Sequence, residues 1–424
     1  MKVVVRYRSY EGEREVVIDP GDGADVEVVS PSEGVSVLTD GEITEVLGLP
    51  FEPGTKTLYI VNDLDRPTPT ERLLKLLARR YPGALSADVV VATGAHKIIG
   101  TVGETGRRIL GGLFDSFSGR IHFHDSTINP TVPVGRTPRG TGVEVSSSLF
   151  EYDNIVAIGS VEPHWFAGYT GGRKSIVPGV ASFETIRGNH SLALSKGAGP
   201  AVTAGNPVYE DLQDAASLVV KRLEEKNAAV FGINAVSKGN DIYGVFCGPI
   251  LDSIAPLFDK VGDIYIKEAE RSDIVVAIAE APMERDLYQA MKSFENVRGA
   301  IKDRGSYILV ASCTDGVGPP HFSETMELAS RGDALAKRLS GEYRLGDHKF
   351  KNPIDFIDGG GTMTVVSGAL SRYLMGGVEE VGFFRVCGTL EDALKKELER
   401  QKSGDDDIRV LVVKDAVNLV IIPK

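Results

Sequence analysis

Cysteine is scarce in this chain. Cys247, Cys313 and Cys387 are the only three in 424 residues, and they stand far apart in apolar contexts without C-x-x-C spacing. That excludes a disulfide framework and a cysteine zinc site, and leaves three thiols expected to be buried. Long apolar runs are missing too: none approaches the roughly 20 residues that span a bilayer, so no membrane association is expected. Positive charge is in deficit, with 47 Lys and Arg against 59 Asp and Glu, a net charge of −12 and no basic cluster. Nucleic acid is therefore not an expected partner. The opening Met1-Lys2-Val3-Val4-Val5-Arg6 reads as a strand, without the apolar segment or small-residue cleavage site of a secretory signal, and the expected location is cytoplasmic. There is no internal repeat and no low-complexity linker.

What the chain does have is length, 48 glycines and a regular alternation of apolar β-branched runs with helical patterns. The length suits two domains, each large enough to fold around its own core. Runs at 57–61, 88–92, 154–158 and 228–233 alternate with helices, and a second series follows at 273–278 and 306–311. The expected fold is α/β: two domains, each a mostly parallel sheet flanked by helices, with the active site in the cleft between them. The boundary is placed near residue 268, giving an N-terminal domain (1–268) and a C-terminal domain (269–424). Two further strands at 408–413 and 418–422 follow an acidic turn at Asp405-Asp406-Asp407, and they could complete either domain.

In an open parallel sheet the ligand crevice lies beyond the carboxyl ends of the strands, so residues just after strands draw attention. Three such junctions carry chemistry. Asp63-Leu64-Asp65-Arg66-Pro67 follows the first strand, ahead of a helix whose Thr68 and Glu71 have capping-box spacing. Thr93-Gly94-Ala95-His96-Lys97 follows the second and sets an imidazole at the crevice mouth. The third is Pro163-His164-Trp165-Phe166-Ala167-Gly168-Tyr169-Thr170-Gly171-Gly172-Arg173-Lys174-Ser175, with His190 sixteen residues after the lysine. It nearly matches the P-loop pattern G-x-x-x-x-G-K-[ST], but Arg173 stands where the pattern needs its second glycine. In the second half, Tyr288, Gln289 and Lys292 are spaced to share a face of a helix expected over 286–302. His122 and His124 alternate as on a strand and are open to either a metal-binding or an ordinary strand role, while His321 and His348 show no partner in the sequence.

Together these motifs, in this order and spacing from about residue 60 to 300, resemble the nickel-dependent lactate racemase family. The resemblance implies an isomerase: a racemase or epimerase that inverts the 2-carbon of a small-molecule 2-hydroxy acid by hydride transfer through a planar 2-keto acid. It implies a nickel-pincer nucleotide cofactor (pyridinium-3,5-bisthiocarboxylic acid mononucleotide nickel), covalently bound to Lys174 as a thioamide, with His190 as the nickel ligand supplied by the protein. Gly171, Gly172, Arg173 and Asp63 match cofactor-binding positions, His96 and His164 the two acid-base residues, and Arg66, Tyr288, Gln289 and Lys292 the substrate-binding ones. Partner enzymes that synthesise the cofactor are implied as well, while a monomer and a homodimer both stay open.

Two departures stand out. Asp65 replaces the family's usual threonine and adds a carboxylate beside Arg66, which is expected to oppose a second acidic group on the substrate unless it is paired with Arg66 or Arg72. The only tryptophan is Trp165, so the one the founding type carries in its second domain is missing. The competing reading from the residues is a phosphate-binding transferase or metal hydrolase that uses the same glycine-rich loop and histidines without a covalent cofactor.

Overall fold

The computed structural model describes residues 3–9, 11–18, 24–32, 34–66, 68–96, 100–329, 333–373, 380–402 and 408–424. Pro67, Lys97 and the acidic turn at 405–407 lie outside the described residues. The chain divides into two compact units, one formed by residues 33–264 and the other by residues 1–32 together with 265–424.

The unit of residues 33–264 is built on a six-stranded sheet in the order Asp241–Pro249, Ala229–Lys238, Asn154–Ser160, Thr57–Asn62, Asp88–Ala92, Ile121–Phe123. All neighbours are parallel except the hairpin formed by the first two. Thr57 to Val61 are all buried, as expected of a central parallel strand covered on both faces. Helix Thr70–Arg80 covers one face with Leu73, Leu74, Leu76 and Leu77, packed with Tyr59, Val61, Val89 and Val91. Each such leucine contributes roughly 1.5–3 kcal/mol by leaving water. The capping box expected at Thr68 and Glu71 does not form. Pro69 occupies the N-cap without a side-chain bond, Thr68 is drawn to Asn62 and Ser160, and Glu71 accepts from the Gly112 amide.

The other unit holds a seven-stranded sheet in the order Glu380–Val381, Phe384–Cys387, Thr362–Val366, Ile301–Val310, Ser272–Ile278, Ile408–Val413, Ala24–Val29, again parallel apart from the first hairpin. The edge strand Ala24–Val29 revises the expected organisation, because it pairs with Ile408–Val413 in register from Ala24↔Ile408 to Val29↔Val413. The hairpin Val3–Ser9/Gly12–Ile18 buries Val5, Tyr7, Val16 and Ile18 against Ile274, Val276, Leu390 and Leu394. The first 32 residues thus belong with the C-terminal half, and the units part at 264/265 and at 32/33 where the sequence suggested a single boundary near 268. Both late strands stay in this unit too, since Val420–Pro423 pairs with Ile266–Ala269.

No helix among the described residues is long and apolar enough to cross a membrane. The thiols of Cys313 and Cys387 are buried, that of Cys247 is half-buried, and none of the three forms a disulfide.

Candidate active site

Three strands of the first unit end side by side at Asn62, Ala92 and Ser160, and the sequence-predicted residues follow directly from them. The ends are tied together: the Asn62 side chain donates to Thr68 Oγ1 at 2.8 Å, and the Thr68 hydroxyl donates to Ser160 Oγ at 2.9 Å.

Asp63, Asp65 and His96 form one cluster. The carboxylate of Asp63 lies 2.8 Å from His96 Nδ1, and that of Asp65 lies 3.3 Å from the same nitrogen. Asp63 Oδ1 also accepts the Asp65 amide at 3.1 Å, and its carbonyl accepts the Arg66 amide at 3.3 Å, so the turn holds the two carboxylates together. The three polar atoms lie within 4.8 Å of one another. The Asp65 carboxylate faces His96, while Arg72, one of the partners weighed for it in the sequence, pairs with Asp40 at 2.9 Å.

The glycine-rich loop forms a second cluster. A two-residue antiparallel pairing, Pro163↔Tyr169 and His164↔Gly168, turns the chain tightly and leaves His164 only 6% exposed. The loop then enters the short helical turn Gly172–Ser175 that carries Lys174. Gly171 has φ +77°, and a Cβ there would come within 2.8 Å of Asn234 Oδ1 and 3.0 Å of the Ser160 carbonyl. Gly172 has φ +52° and spends its amide on Asn234 Oδ1 at 2.8 Å. The glycines therefore bring the loop down onto the sheet, and the Gly172 amide does not offer itself to a phosphate as a P-loop amide would.

Phe166 is the hub of this cluster. Its ring centroid lies 4.6 Å from that of His164, 5.0 Å from that of His190 and 5.9 Å from Lys174 Nζ. One phenyl ring thus gathers the candidate acid-base histidine, the candidate tether and the candidate nickel ligand. His190 closes helix Phe183–Ser191, and its Nδ1 lies 3.1 Å from Asn189 Oδ1. A carbonyl oxygen only accepts, so Nδ1 carries the proton and Nε2 keeps the lone pair that a metal needs. Asn189 in turn donates to Asp211 Oδ2 at 2.9 Å, and Asp211 also accepts from the Thr141 hydroxyl at 2.8 Å, all buried. Phe166, Asn189 and Asp211, which the sequence reading did not assign, pack against or hydrogen-bond within this cluster. Only the adjacency of Asn189 to His190 hinted at one of them.

Two backbone bonds connect the clusters. The Gly94 amide donates to the Gly179 carbonyl at 3.0 Å, and the Gly179 amide donates to the Lys174 carbonyl at 3.0 Å. The loop that presents His96 is thereby fixed to the segment that presents Lys174.

The residues fit a phosphorylated, metal-bearing group. Arg173 is 1% exposed, stacked 3.8 Å above the Tyr209 ring, and none of its guanidinium nitrogens has a hydrogen-bond partner. Burial pulls it down to about 10, and a buried guanidinium in this state is a standing site for an anion. Ser175 Oγ is a second buried polar atom without a partner in the same turn.

Tyr288, Gln289 and Lys292 belong to the other unit. The single helix expected over 286–302 is broken into Leu287–Ala290 and Ser293–Val297, with Lys292 at the N-cap of the second. Asp286 caps the start of the first by accepting the Gln289 amide at 2.7 Å, and at the break the Ser293 hydroxyl donates to the Ala290 carbonyl at 2.6 Å. Lys292 and Gln289 are buried, and Lys349 joins them with its Nζ 2.9 Å from the Tyr288 carbonyl. His348, for which the sequence showed no partner, has Nδ1 2.6 Å from the Tyr343 hydroxyl, and the His321 ring lies 6.5 Å from that of Tyr288. In the first unit His124 is buried with Nε2 2.9 Å from the Ala181 carbonyl, and His122 is exposed on the short strand Ile121–Phe123.

Comparison with known proteins places this architecture. Residues 43–200 match the family model for the lactate racemase N-terminal domain, and residues 267–344 match that for the lactate racemase C-terminal domain. The chain belongs to the lactate racemase family. A lactate racemase of Thermoanaerobacterium thermosaccharolyticum is 31% identical over 277 residues, 63% of each chain. One of Lactiplantibacillus plantarum is 28% identical over 279 residues, 62% of each chain. The match thus spans a little over three fifths of these curated relatives. The fold is that of the lactate racemase apoprotein structure from T. thermosaccharolyticum, with TM-score 0.80 at 24% identity over 99% of this chain and 100% of that one. A Thermotoga maritima protein of known structure has TM-score 0.66 at 16% identity, over 93% of this chain and all of its own.

Proposed function

We propose that this protein is an isomerase that inverts the 2-carbon of a 2-hydroxy acid, with a nickel-pincer nucleotide tethered to Lys174. The observation that carries the reading is the set around Phe166: His164, His190 and Lys174 share one ring, next to a buried Arg173 whose guanidinium lacks a hydrogen-bond partner. The names of the relatives support a racemase, and the order of motifs supports this cofactor.

In this reading Lys174 forms the thioamide, His190 offers Nε2 to nickel, and Arg173 takes the nucleotide's phosphate. Held by Lys174, His190 and Arg173, the nickel group would supply reversible hydride-acceptor chemistry for the 2-carbon. The protein's own side chains manage the protons. One imidazole receives the hydroxyl proton of one enantiomer and the other serves its mirror image, with His96 and His164 in these roles. We assign Arg66 and, in the other unit, Tyr288, Gln289 and Lys292 to the carboxylate and hydroxyl oxygens of the substrate. Low exposure of His164, Gln289 and Lys292 keeps bulk water away from each of these groups.

The test is chiral analysis of a 2-hydroxy acid carrying deuterium at carbon 2, incubated with protein co-expressed with the cofactor-synthesis enzymes. Inversion with deuterium largely retained, lost in both His96→Ala and His164→Ala, is expected. Inversion with full exchange against solvent would point to proton abstraction at carbon and contradict the reading.

A further inference from the structure

The two imidazoles assigned to proton transfer are set in opposite tautomers. His96 Nδ1 faces two carboxylate oxygens, Asp63 Oδ2 at 2.8 Å and Asp65 Oδ2 at 3.3 Å. Ionised carboxylates only accept hydrogen bonds, so Nδ1 carries a proton and the neutral ring keeps its lone pair on Nε2. His164 is the reverse. Its Nδ1 accepts the backbone N–H of Ala167 at 3.2 Å, which only an unprotonated ring nitrogen can do. The neutral His164 ring therefore carries its proton on Nε2.

We propose that these histidines are inequivalent by construction: His96 is a resident base, kept so by Asp63 and Asp65, whereas His164 is a resident hydrogen-bond donor. A proton taken up at His96 Nε2 leaves an imidazolium facing two carboxylates. For His164 to take a proton, either Nδ1 accepts it and the Ala167 amide must let go, or the ring's proton first moves from Nε2 to Nδ1 with the same result. Asp65 is then a positioning residue acting through His96. This role accounts for a carboxylate where the family usually has threonine, and it replaces the expectation that Asp65 faces the substrate.

The kinetic consequence rests on the proposed reaction; the tautomers do not. With Asp63 and Asp65 in place, the enantiomer whose hydroxyl meets His96 loses its proton to Nε2 without rearrangement, and its mirror image waits for His164 to change state. Because two enantiomers are equal in free energy, kcat/KM must be the same in both directions. The inequivalence therefore appears as unequal kcat and unequal KM.

The experiment is 15N NMR of the full-length protein labelled at histidine, in which couplings to the ring protons tell Nδ1–H from Nε2–H, with His96→Asn and His164→Asn used for assignment. At mildly alkaline pH, His96 is expected as Nδ1–H and His164 as Nε2–H. Asp65→Thr is expected to shift His96 toward a mixture of tautomers, with Asp65→Glu restoring Nδ1–H. In the loaded enzyme Asp65→Thr should lower kcat roughly tenfold, well short of the 10⁴ that a wholly wrong tautomer costs in a serine protease. Identical tautomers at the two histidines, or a His96 spectrum indifferent to Asp65→Thr, would overturn the proposal. The wild-type spectrum alone decides the first point. Opposite tautomers in a protein that inverts no 2-hydroxy acid would sink the functional reading and leave this inference standing.

Discussion

The guanidinium of Arg173 lies 3.8 Å above the ring of Tyr209, buried, with Nε, Nη1 and Nη2 all lacking a hydrogen-bond partner. Stacking holds the plane but satisfies none of its N–H groups, and an unmet buried cation of this kind costs several kcal/mol unless an anion arrives. Arg173→Met is therefore expected to fold at least as well as wild type, while loading the phosphorylated cofactor roughly 10- to 100-fold less well, the value of a charge-assisted bond of 1.5–3 kcal/mol. Intact mass after co-expression reads the loading, and melting temperature reads the fold. Undiminished loading in Arg173→Met would place the phosphate elsewhere.

His190 and Asn189 give a second prediction. Asn189 Oδ1 fixes the His190 tautomer from 3.1 Å, so Asn189→Leu should weaken nickel retention by about 10- to 100-fold, as outer-shell losses typically do. His190→Ala should lose nickel more completely. In both variants the adduct on Lys174 should remain, which mass spectrometry and metal analysis measure separately.

Gly171 provides a third. Alanine there meets Asn234 Oδ1 at 2.8 Å in a backbone conformation with φ +77°, a strain of about 1–3 kcal/mol. At about 2–4 °C per kcal/mol, Gly171→Ala should melt several degrees earlier. A melting point within one degree of wild type would mean that the loop accommodates the methyl group.

The motif residues were legible because parallel strands end in one row, so residues following three separate strands had to meet. Other features were not. The pairing of Ala24–Val29 with Ile408–Val413 joins opposite ends of the chain, and an apolar pattern announces a strand without announcing its neighbour. The break between Ala290 and Ser293 coincides with the Ser293 hydroxyl donating to the Ala290 carbonyl, a local side-chain bond that a continuous helical periodicity does not announce. Phe166 resembles an ordinary core residue, and only the folded chain reveals that three candidate site side chains share its ring. Asp65 was noticed as a departure, yet its partner His96 lies 31 positions away on another loop, beyond reach of sequence spacing.

Lys349 supplies a prediction about pH. It is 3% exposed, donates to the Tyr288 carbonyl and lies 4.0 Å from the Tyr288 ring centroid; burial first, and then the charge of Lys292, hold its ammonium well below the usual lysine range. The unfolded chain then binds more protons than the folded one between the lowered value and about 10.4, so stability should rise with pH across that window, by at most about 1.4 kcal/mol per unit. Lys349→Met removes this contribution. Urea unfolding of both proteins from pH 7 to 10 should show the difference between them shrinking as pH rises, and a constant difference would mean that Lys349 is fully charged in the folded state.

The central claim is that Lys174 carries the cofactor, and peptide mapping of active protein tests it most directly. Protein co-expressed with the cofactor-synthesis enzymes, digested and analysed by mass spectrometry, should show a thioamide-linked mononucleotide on Lys174, with about one nickel per chain in the intact sample and no adduct in Lys174→Ala. Active protein with an unmodified Lys174 would contradict the account and return the glycine-rich loop to the reading of a phosphate-binding transferase or metal hydrolase.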